Sequence, residues 1–557
     1  MDMKHILFLS LLIVFAGCSD VLDKTNLSAV PEEAVWNDAG YATAYVNKLY
    51  RDNLPAWNVY ISGDSDEANS TSAILYGQLT SSSVDVWHYS QIRNINIFLD
   101  NIDLGTIEET TKKTLKAQAY LLRAWKYFEM VRVYGGIPII DKAQSLSDDL
   151  YVKRNKTSDC IDFIIKDLES AAAELPWQWT NNDVGRFTKA TALALKARVL
   201  LYYASPQFNL NNMKERWEVA YTANKVAVEE LAKNGYGLYD SYENIWFDEM
   251  NKEVIFVQRY EEPGIFHNWD AATRPLDESQ NITGCNAPSL EMVESYPMIN
   301  GKNINDPDAG YDPILYWKNR DPRFKATIAY NGCLWELSGK TGRKQWTYVG
   351  AEAQPGVSGF YCRKAINTSY TPYFANRSST DWVELRYAEV LLNYAECAAE
   401  LGKMEEAYNV LKDIRKRAGI LPGNDGMYGL VDGMNSDEMV KAILLERKIE
   451  LAYEGKRYWD LRRRRLFKEE LNGKKRHGVQ PILKIDKEEF QKIENQIDLD
   501  KEYGTFFRDS IIELDKVFSI DFKDNYYFYA LPEKHLQTNG NLEQTQGWDN
   551  GTFNPYE

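Results

Sequence analysis

The stretch DWVELRYAEVLLNYAECAAELGKMEEAYNVLKDIRKRAG, Asp381 to Gly419, decides the fold. Apolar residues recur in it at three- and four-residue spacing, the period of a helix with one face buried. The spacing predicts a helix over Asp381–Leu401, a stop at Gly402 and a partner helix over Met404–Ala418. Glycine ends the first helix because it alone enters the left-handed region without a Cβ penalty.

The same pattern recurs outward from this hairpin. Upstream it predicts helices over Val30–Asp52, Trp87–Ile102, Thr114–Val133, Ser158–Leu175, Thr188–Ala204 and Glu215–Lys233, and downstream over Ser436–Tyr453. Gly135-Gly136 with Pro138, Pro176, Ser205-Pro206 and Asn234-Gly235 supply stops, through glycine freedom and the donor that proline lacks. Alanine recurs where helices would touch, at Ala190, Ala194 and Ala197 and at Ala220, Ala223 and Ala227. Paired helices of this length resemble tetratricopeptide hairpins, although the literal signature of about 34 residues is absent. Residues 55–86 are rich in Ser, Asn, Asp and Gly and read as loop, and residues 236–380 mix short strand-like pieces, such as Glu253–Gln258, with many Gly, Pro, Asn and Asp in a loop-rich subdomain. The tail predicts a short apolar strand at Tyr527–Ala530, then extended coil. The expected fold class is mainly α, with tetratricopeptide-like helical hairpins supporting a loop-rich irregular subdomain. The expected division is a leader (1–17), an N-terminal helical region (18–235), a variable loop-rich subdomain (236–380) and C-terminal helices with a closing segment (381–557).

Composition narrows the function. The chain has 557 residues, a formal charge of -16, 15 Trp and 36 Tyr. A hydrophobic share of 44% excludes a disordered chain, and the acidity argues against a general nucleic-acid binder. No internal apolar run reaches the roughly 18 residues of a membrane helix. The six Cys form no C-x-x-C pair, so neither a zinc knuckle nor a redox dithiol is indicated. A bridge between Cys333 and Cys362 is left open. Neither H-E-x-x-H nor G-x-S-x-G occurs, and no cofactor or metal is expected. Asn305, Asp306, Asp308 and Asp312 are rich in oxygen ligands but do not follow EF-hand spacing, and a solvated turn is expected there.

The N-terminus carries an address. Lys4 precedes an apolar stretch from Ile6 to Phe15, and Ala16-Gly17 stand directly before Cys18. This reads as a secretory signal rather than a membrane span. Its ending resembles the bacterial lipoprotein box, which implies acylation of the Cys18 thiol and cleavage before it. Ser19-Asp20 and Asp23 resemble the short acidic signal that exports lipoproteins to the surface in the Bacteroidota.

Five segments then occur in a recognisable order: LLRAWKYFEMVRVYGGIPII (121–140), TALALKARVLLYYASP (191–206), the hairpin from Leu385 to Gly419, ERKIELAYEGKRYWDLRR (446–463) and ALPEKHLQTNGNLEQTQGW (530–548). Together with the lipobox they resemble the SusD/RagB family of outer-membrane nutrient-binding lipoproteins. The resemblance implies a non-catalytic glycan-binding lipoprotein, anchored in the outer membrane and exposed at the surface. It would pass an oligosaccharide or polysaccharide to a SusC-like TonB-dependent transporter. Peptide cargo, a surface glycosidase with two convergent carboxyls, and a pure helical scaffold for a protein partner are the competing readings.

The motifs themselves read as scaffold. Glu446, Glu450, Glu454 and Arg447 stand at helical spacing for local pairs, Gly455 is expected to end their helix, and Arg462-Arg463-Arg464-Arg465 reads as a solvated face. A sugar site needs rings to stack on C–H faces and polar side chains to bond hydroxyls. Three loop clusters meet that need: Trp57, Tyr60 and Asp64; Asn268, Trp269, Asp270 and Arg274, with Asn281; and Trp335, Arg343 and Trp346.

Overall fold

The computed structural model describes residues 32–58, 60–280, 286–352 and 356–557. The leader with Cys18, and Asn281, lie outside the described residues. The long helices are α1 (Ala39–Asn53), α2 (Tyr89–Asn101), α3 (Glu109–Tyr134), α4 (Thr157–Glu174), α5 (Lys189–Ala204), α6 (Lys214–Lys233), α7 (Tyr387–Glu400), α8 (Met404–Ala418) and α9 (Ser436–Glu450). Local chemistry sets their ends. Asp38 splits the expected Val30–Asp52 helix by accepting from the Tyr41 N–H as the α1 cap. Thr188 and Thr191 form a capping box on α5, as Asn435 and Glu438 do on α9. Gly419 closes α8 at φ 89°.

The helices stack nearly in chain order. α3 packs on α4, α4 on α5, α5 on α6, α6 on α7, and α7 on both α8 and α9. Ala190, Ala197, Ala220, Ala227, Ala395 and Ala399 are fully buried where these helices meet, so small side chains permit close approach. The result is a mainly α fold of tetratricopeptide-like helix pairs with a small mixed loop and β region. A large apolar core runs through the helices, and a second, ring-rich core lies under the loops.

Two predicted elements differ. Strand β1 (Val254–Gln258) pairs antiparallel with β2 (Trp382–Arg386), from Val254↔Arg386 to Gln258↔Trp382, with an irregularity in register around Phe256. The expected helix over Asp381–Leu401 therefore starts only at Tyr387. Trp382, Val383 and Leu385 favour a pleated surface, and their partner strand lies more than 120 residues upstream, beyond the reach of local periodicity. In the tail, Tyr527 closes a 3₁₀ turn and Phe528–Leu531 pairs with no strand, while Glu533–Thr538 forms a short helix where coil was expected. A second ladder, β3 (His477–Leu483) with β4 (Phe507–Glu513), closes the described β structure of any length. Cys333 and Cys362 lie in separate two-stranded ladders, opposite Gln345 and Ile328, and both thiols are free. That removes the bridge left open by sequence.

The charged signature after α9 also corrects its sequence reading. Arg462 and Arg463 are fully buried instead of forming a solvated face. Arg463 pairs with Glu396 at 2.5 Å and Asp460 at 2.9 Å, and Arg462 donates to the Tyr527 carbonyl. Arg464, largely covered, bonds Glu400 at 2.6 Å. The glutamates of α9 ignore helical spacing. Glu446 pairs with Arg323 and Arg415, Glu450 with Arg323, Arg386 and Arg417, and Glu454 with Lys364 and Arg386. Arg447 bonds Asp460. Apart from that pair, Arg323, Lys364, Arg386, Arg415 and Arg417 form one buried network with the five carboxylates of Glu446, Glu450, Glu454, Asp321 and Glu253. α9 itself stops at Glu450, and Gly455 sits five residues later at φ 69° in the following turn.

Candidate functional site

The sequence-predicted rings converge, but inward. Trp57 packs on His267 at 4.3 Å, on Trp269 and Trp382 at 5.2 Å and on Trp246 at 5.5 Å between ring centroids. Trp57, Trp269 and Trp335 are each less than 10% exposed, so none presents an open face for stacking. Their rings fill the second core because the loops carry few aliphatic residues able to do so. Burial lowers the His267 pKa to about 4, and its Nε2 bonds the Thr380 carbonyl oxygen at 2.7 Å.

The second predicted cluster acts as a clamp. Asp270 and Arg274 are fully buried and face each other at 3.4 Å. Asp270 accepts from the Asn367 N–H at 2.8 Å, while Arg274 donates to the carbonyls of Tyr370, at 2.7 Å, and Asn367. Burial raises the Asp270 carboxyl to about 6. Asn268 is the residue before the Trp269–Thr273 helix and makes no side-chain cap bond. In the third cluster, Arg343 pairs with Glu278 at 3.3 Å and donates to the Trp335 carbonyl, and Trp346 packs on Phe490 and Phe507. In the first, Asp64 accepts from the Ser72 hydroxyl, whereas Tyr60 is 69% exposed.

What the clamp holds is an exposed aromatic ridge. A short helix, Pro372–Ala375, follows the clamped loop and carries Tyr373 and Phe374, 51% and 46% exposed. Phe266 stands beside them at 40%, because His267 and Ser378 pair as an antiparallel bridge. The Arg377 guanidinium lies 4.1 Å from the Phe266 centroid and 5.8 Å from that of Tyr373, and bonds Glu262 at 2.9 Å. This fixes the rings relative to one another.

The ridge borders a groove of about 850 Å³ lined by Asn181, Asn182, Glu249, Arg259, Glu261, Glu262, Ile265 and Ser379, among others. Arg259 crosses between Glu249 and Asp381, and burial raises the Asp381 carboxyl to about 6. Val184 joins this groove to a pocket of about 300 Å³ in which Trp177, Trp179 and Tyr236 face Asn234, Asn251 and Lys252. Gly185 at φ 101° sits against the Arg259 side chain, so the loop carrying Asn181 and Asn182 is held at the groove wall. The surface thus combines ring faces with amide, carboxylate and guanidinium groups on fixed loops. Sequence reading missed Phe266, Tyr373, Phe374, Trp177 and Trp179. The signals were present: the adjacent aromatics of TPYFANR and the closely spaced pair of PWQWTNND, each in a short run between turn formers.

The loop from Asn305 to Asp312, expected to be a polar turn, is one. Asp306 and Asp312 accept from the Asn303 and Ile314 N–H groups, and Asp308 pairs with Lys302 at 3.6 Å. Among the described residues no group of three His, Cys, Asp or Glu is arranged to hold a metal.

Comparison with known proteins places this architecture. Residues 243–548 match the SusD family, and residues 18–201 match a family described as starch-binding, associating with the outer membrane. A SusD-like protein of Formosa agariphila is 26% identical over 488 residues, covering 80% of this chain and 88% of that protein. A SusD-like protein of Bacteroides fragilis has a solved structure with a TM-score of 0.75 and 26% identity, covering 94% of this chain and all of that one. A SusD-like carbohydrate binding protein of the same species superposes at a TM-score of 0.69 with 24% identity, over 92% of this chain and all of that one. Proteins of this family are non-catalytic, sit at the outer membrane and bind glycan beside a SusC-type transporter. With more than half of its length matched by the family model, in a fold shared along nearly the whole chain, this chain belongs to the SusD family.

Proposed function

We propose that the groove and its aromatic ridge capture an oligosaccharide and that the protein hands it to a SusC-like TonB-dependent transporter. In this reading Cys18 carries the lipid that anchors the chain at the outer surface, and several acyl chains make that anchor stable. The observation that carries the proposal is the ridge: Phe266, Tyr373 and Phe374 expose their rings beside a groove lined by Asn, Glu, Arg and Ser. Ring faces suit the C–H faces of sugars, and the polar groups suit their hydroxyls. The solved relatives described as a carbohydrate binding protein and as a surface glycan-binding protein support the cargo class. Tyr60 is a further contact candidate, as the exposed ring of the first predicted cluster. The span 236–380 supplies most of the cargo-facing surface, while the helices before and after it form the frame.

Calorimetry against a polysaccharide panel tests this. Tyr373→Ala and Phe374→Ala should each weaken the bound glycan by about 0.5–1.5 kcal/mol, the range of a ring-face contact. Full affinity in both variants and in Phe266→Ala would remove the ridge from the site. Binding of peptides with no glycan bound would change the cargo.

A further inference from the structure

A second cavity, separate from the groove, lies where the helical frame meets the signature turn after α9. Its volume is about 150 Å³, and its walls combine the rings of Trp125, Phe128, Tyr202, Trp382 and Trp459 with the cations Arg132, Arg198 and Lys456 and the carboxylates Glu129, Glu384 and Glu454, the last of them paired with Lys364 and Arg386. The Arg132 guanidinium stacks on Trp459, 3.9 Å from the ring centroid. Arg132 is largely buried and forms no ion pair, and its solvent-shielded Nε has no hydrogen-bond acceptor among the described residues.

The neighbouring charges are already matched. Arg198 is closed by Glu384 at 2.6 Å and Glu389 at 2.7 Å, Lys456 by Glu384 at 3.2 Å, and Glu129 by Lys126 at 2.8 Å. Burial would raise the Glu384 carboxyl, but Lys456 and Arg198 outweigh it and hold it at about 2. Glu384 is therefore ionised and committed to those two cations. Interior arginines without a carboxylate partner, such as Arg154, Arg320 and Arg462, donate instead to backbone carbonyls. Arg132 has neither arrangement. Stacking on Trp459 offsets part of the cost of its partial burial, and an anion in the cavity would supply the acceptor that its shielded Nε lacks.

We propose that this cavity binds one small oxyanion, a carboxylate or sulfate group, either free or carried on a single acidic sugar unit. The planar guanidinium offers two parallel N–H donors to two oxygens. The volume falls below the usual range for an oligosaccharide pocket, so the site takes one group and not a chain. It stands independently of the groove and its cargo.

Crystals of the full-length chain soaked in selenate should show anomalous density within hydrogen-bonding distance of Arg132, and an empty cavity there would overturn the proposal. Calorimetric titrations at constant ionic strength with acetate, sulfate, glucuronate and glucose supply the second test. At least one of the anions should bind, glucose should not compete with it, and Arg132→Gln should bind it at least about tenfold more weakly. Acetate or sulfate binding assigns the free ion, and glucuronate binding alone assigns the sugar-borne group. Arg132→Lys, which keeps the charge but loses the fork, should also bind more weakly. Unchanged anion affinity in either variant would overturn the assignment, and the selenate result holds whether or not a variant folds.

Discussion

Glu67 shows how one buried side chain sets a pH dependence. It is 1% exposed, and its carboxylate accepts from the Tyr453 N–H at 3.0 Å and the Ser65 hydroxyl at 3.3 Å. Burial, with the adjacent Asp66 charge adding to it, raises its pKa from 4.5 to about 7. The folded protein therefore holds this proton more tightly than the unfolded chain does. The contribution is fully present below about pH 4.5 and is lost as pH rises through 7. Glu67→Gln should remove that leg. Its stability relative to wild type should be about 3 kcal/mol greater at pH 8 than at pH 4.5, because each tenfold gain in proton affinity is worth about 1.4 kcal/mol. Urea denaturation at both pH values measures the difference. Such residues were the least legible part of the sequence. Arg462 and Arg463 look like a surface run in one dimension, because Glu396, the Tyr527 carbonyl and Ser205 come from segments 60 or more residues away. Trp57 lies on a loop as expected and Trp269 opens a five-residue helix instead, and both are drawn into a core that needs their bulk.

Among the elements, the long helices were readable because period, caps and stops agree within each segment. α3 to α6 end within a few residues of their glycine, proline or asparagine signals. The failures involve long-range pairing. β2 exists because Val254–Gln258 is there to meet it, and no local pattern in Trp382–Arg386 declares that partner. Packing between helices depends on small residues at fixed positions. Ala220 on α6 is fully buried between neighbouring helices, so Ala220→Leu should overpack the contact and cost about 1–3 kcal/mol. The drop should appear in the midpoint of chemical denaturation, with the denaturant slope unchanged. The ridge, in contrast, occupies a helix of four residues, too short for any periodic signal.

Over the whole molecule, two apolar cores are joined by charge. Arg323 and Lys364 reach from the loop side, while Arg415, Arg417, Glu446, Glu450 and Glu454 reach from α8, α9 and the turn beyond it. Glu450 bonds Arg323, Arg386 and Arg417 at once. Glu450→Gln leaves these cations under-compensated and should cost about 3–5 kcal/mol. It should also uncouple the cores, so that amide hydrogen-exchange protection on the loop side is lost before the far-ultraviolet helix signal falls. Coincident transitions in the variant would show that apolar packing alone couples the two cores. The order of the five sequence motifs made this frame legible because they carry its helices and their charged joints. The groove was not legible, since its lining residues come from segments around 181, 249–265 and 379 that share no motif.

The Asp270–Arg274 clamp has a consequence for how such a protein changes over time. It grips the 367–370 loop through backbone atoms, the Asn367 N–H and the carbonyls of Asn367 and Tyr370. Because it does not touch the ridge rings through their side chains, the six-residue turn from Thr371 to Asn376 can exchange its sequence while its anchoring stays intact. On the function proposed above, a few substitutions in this turn would refit the contact surface to a new nutrient without re-solving the problem of folding.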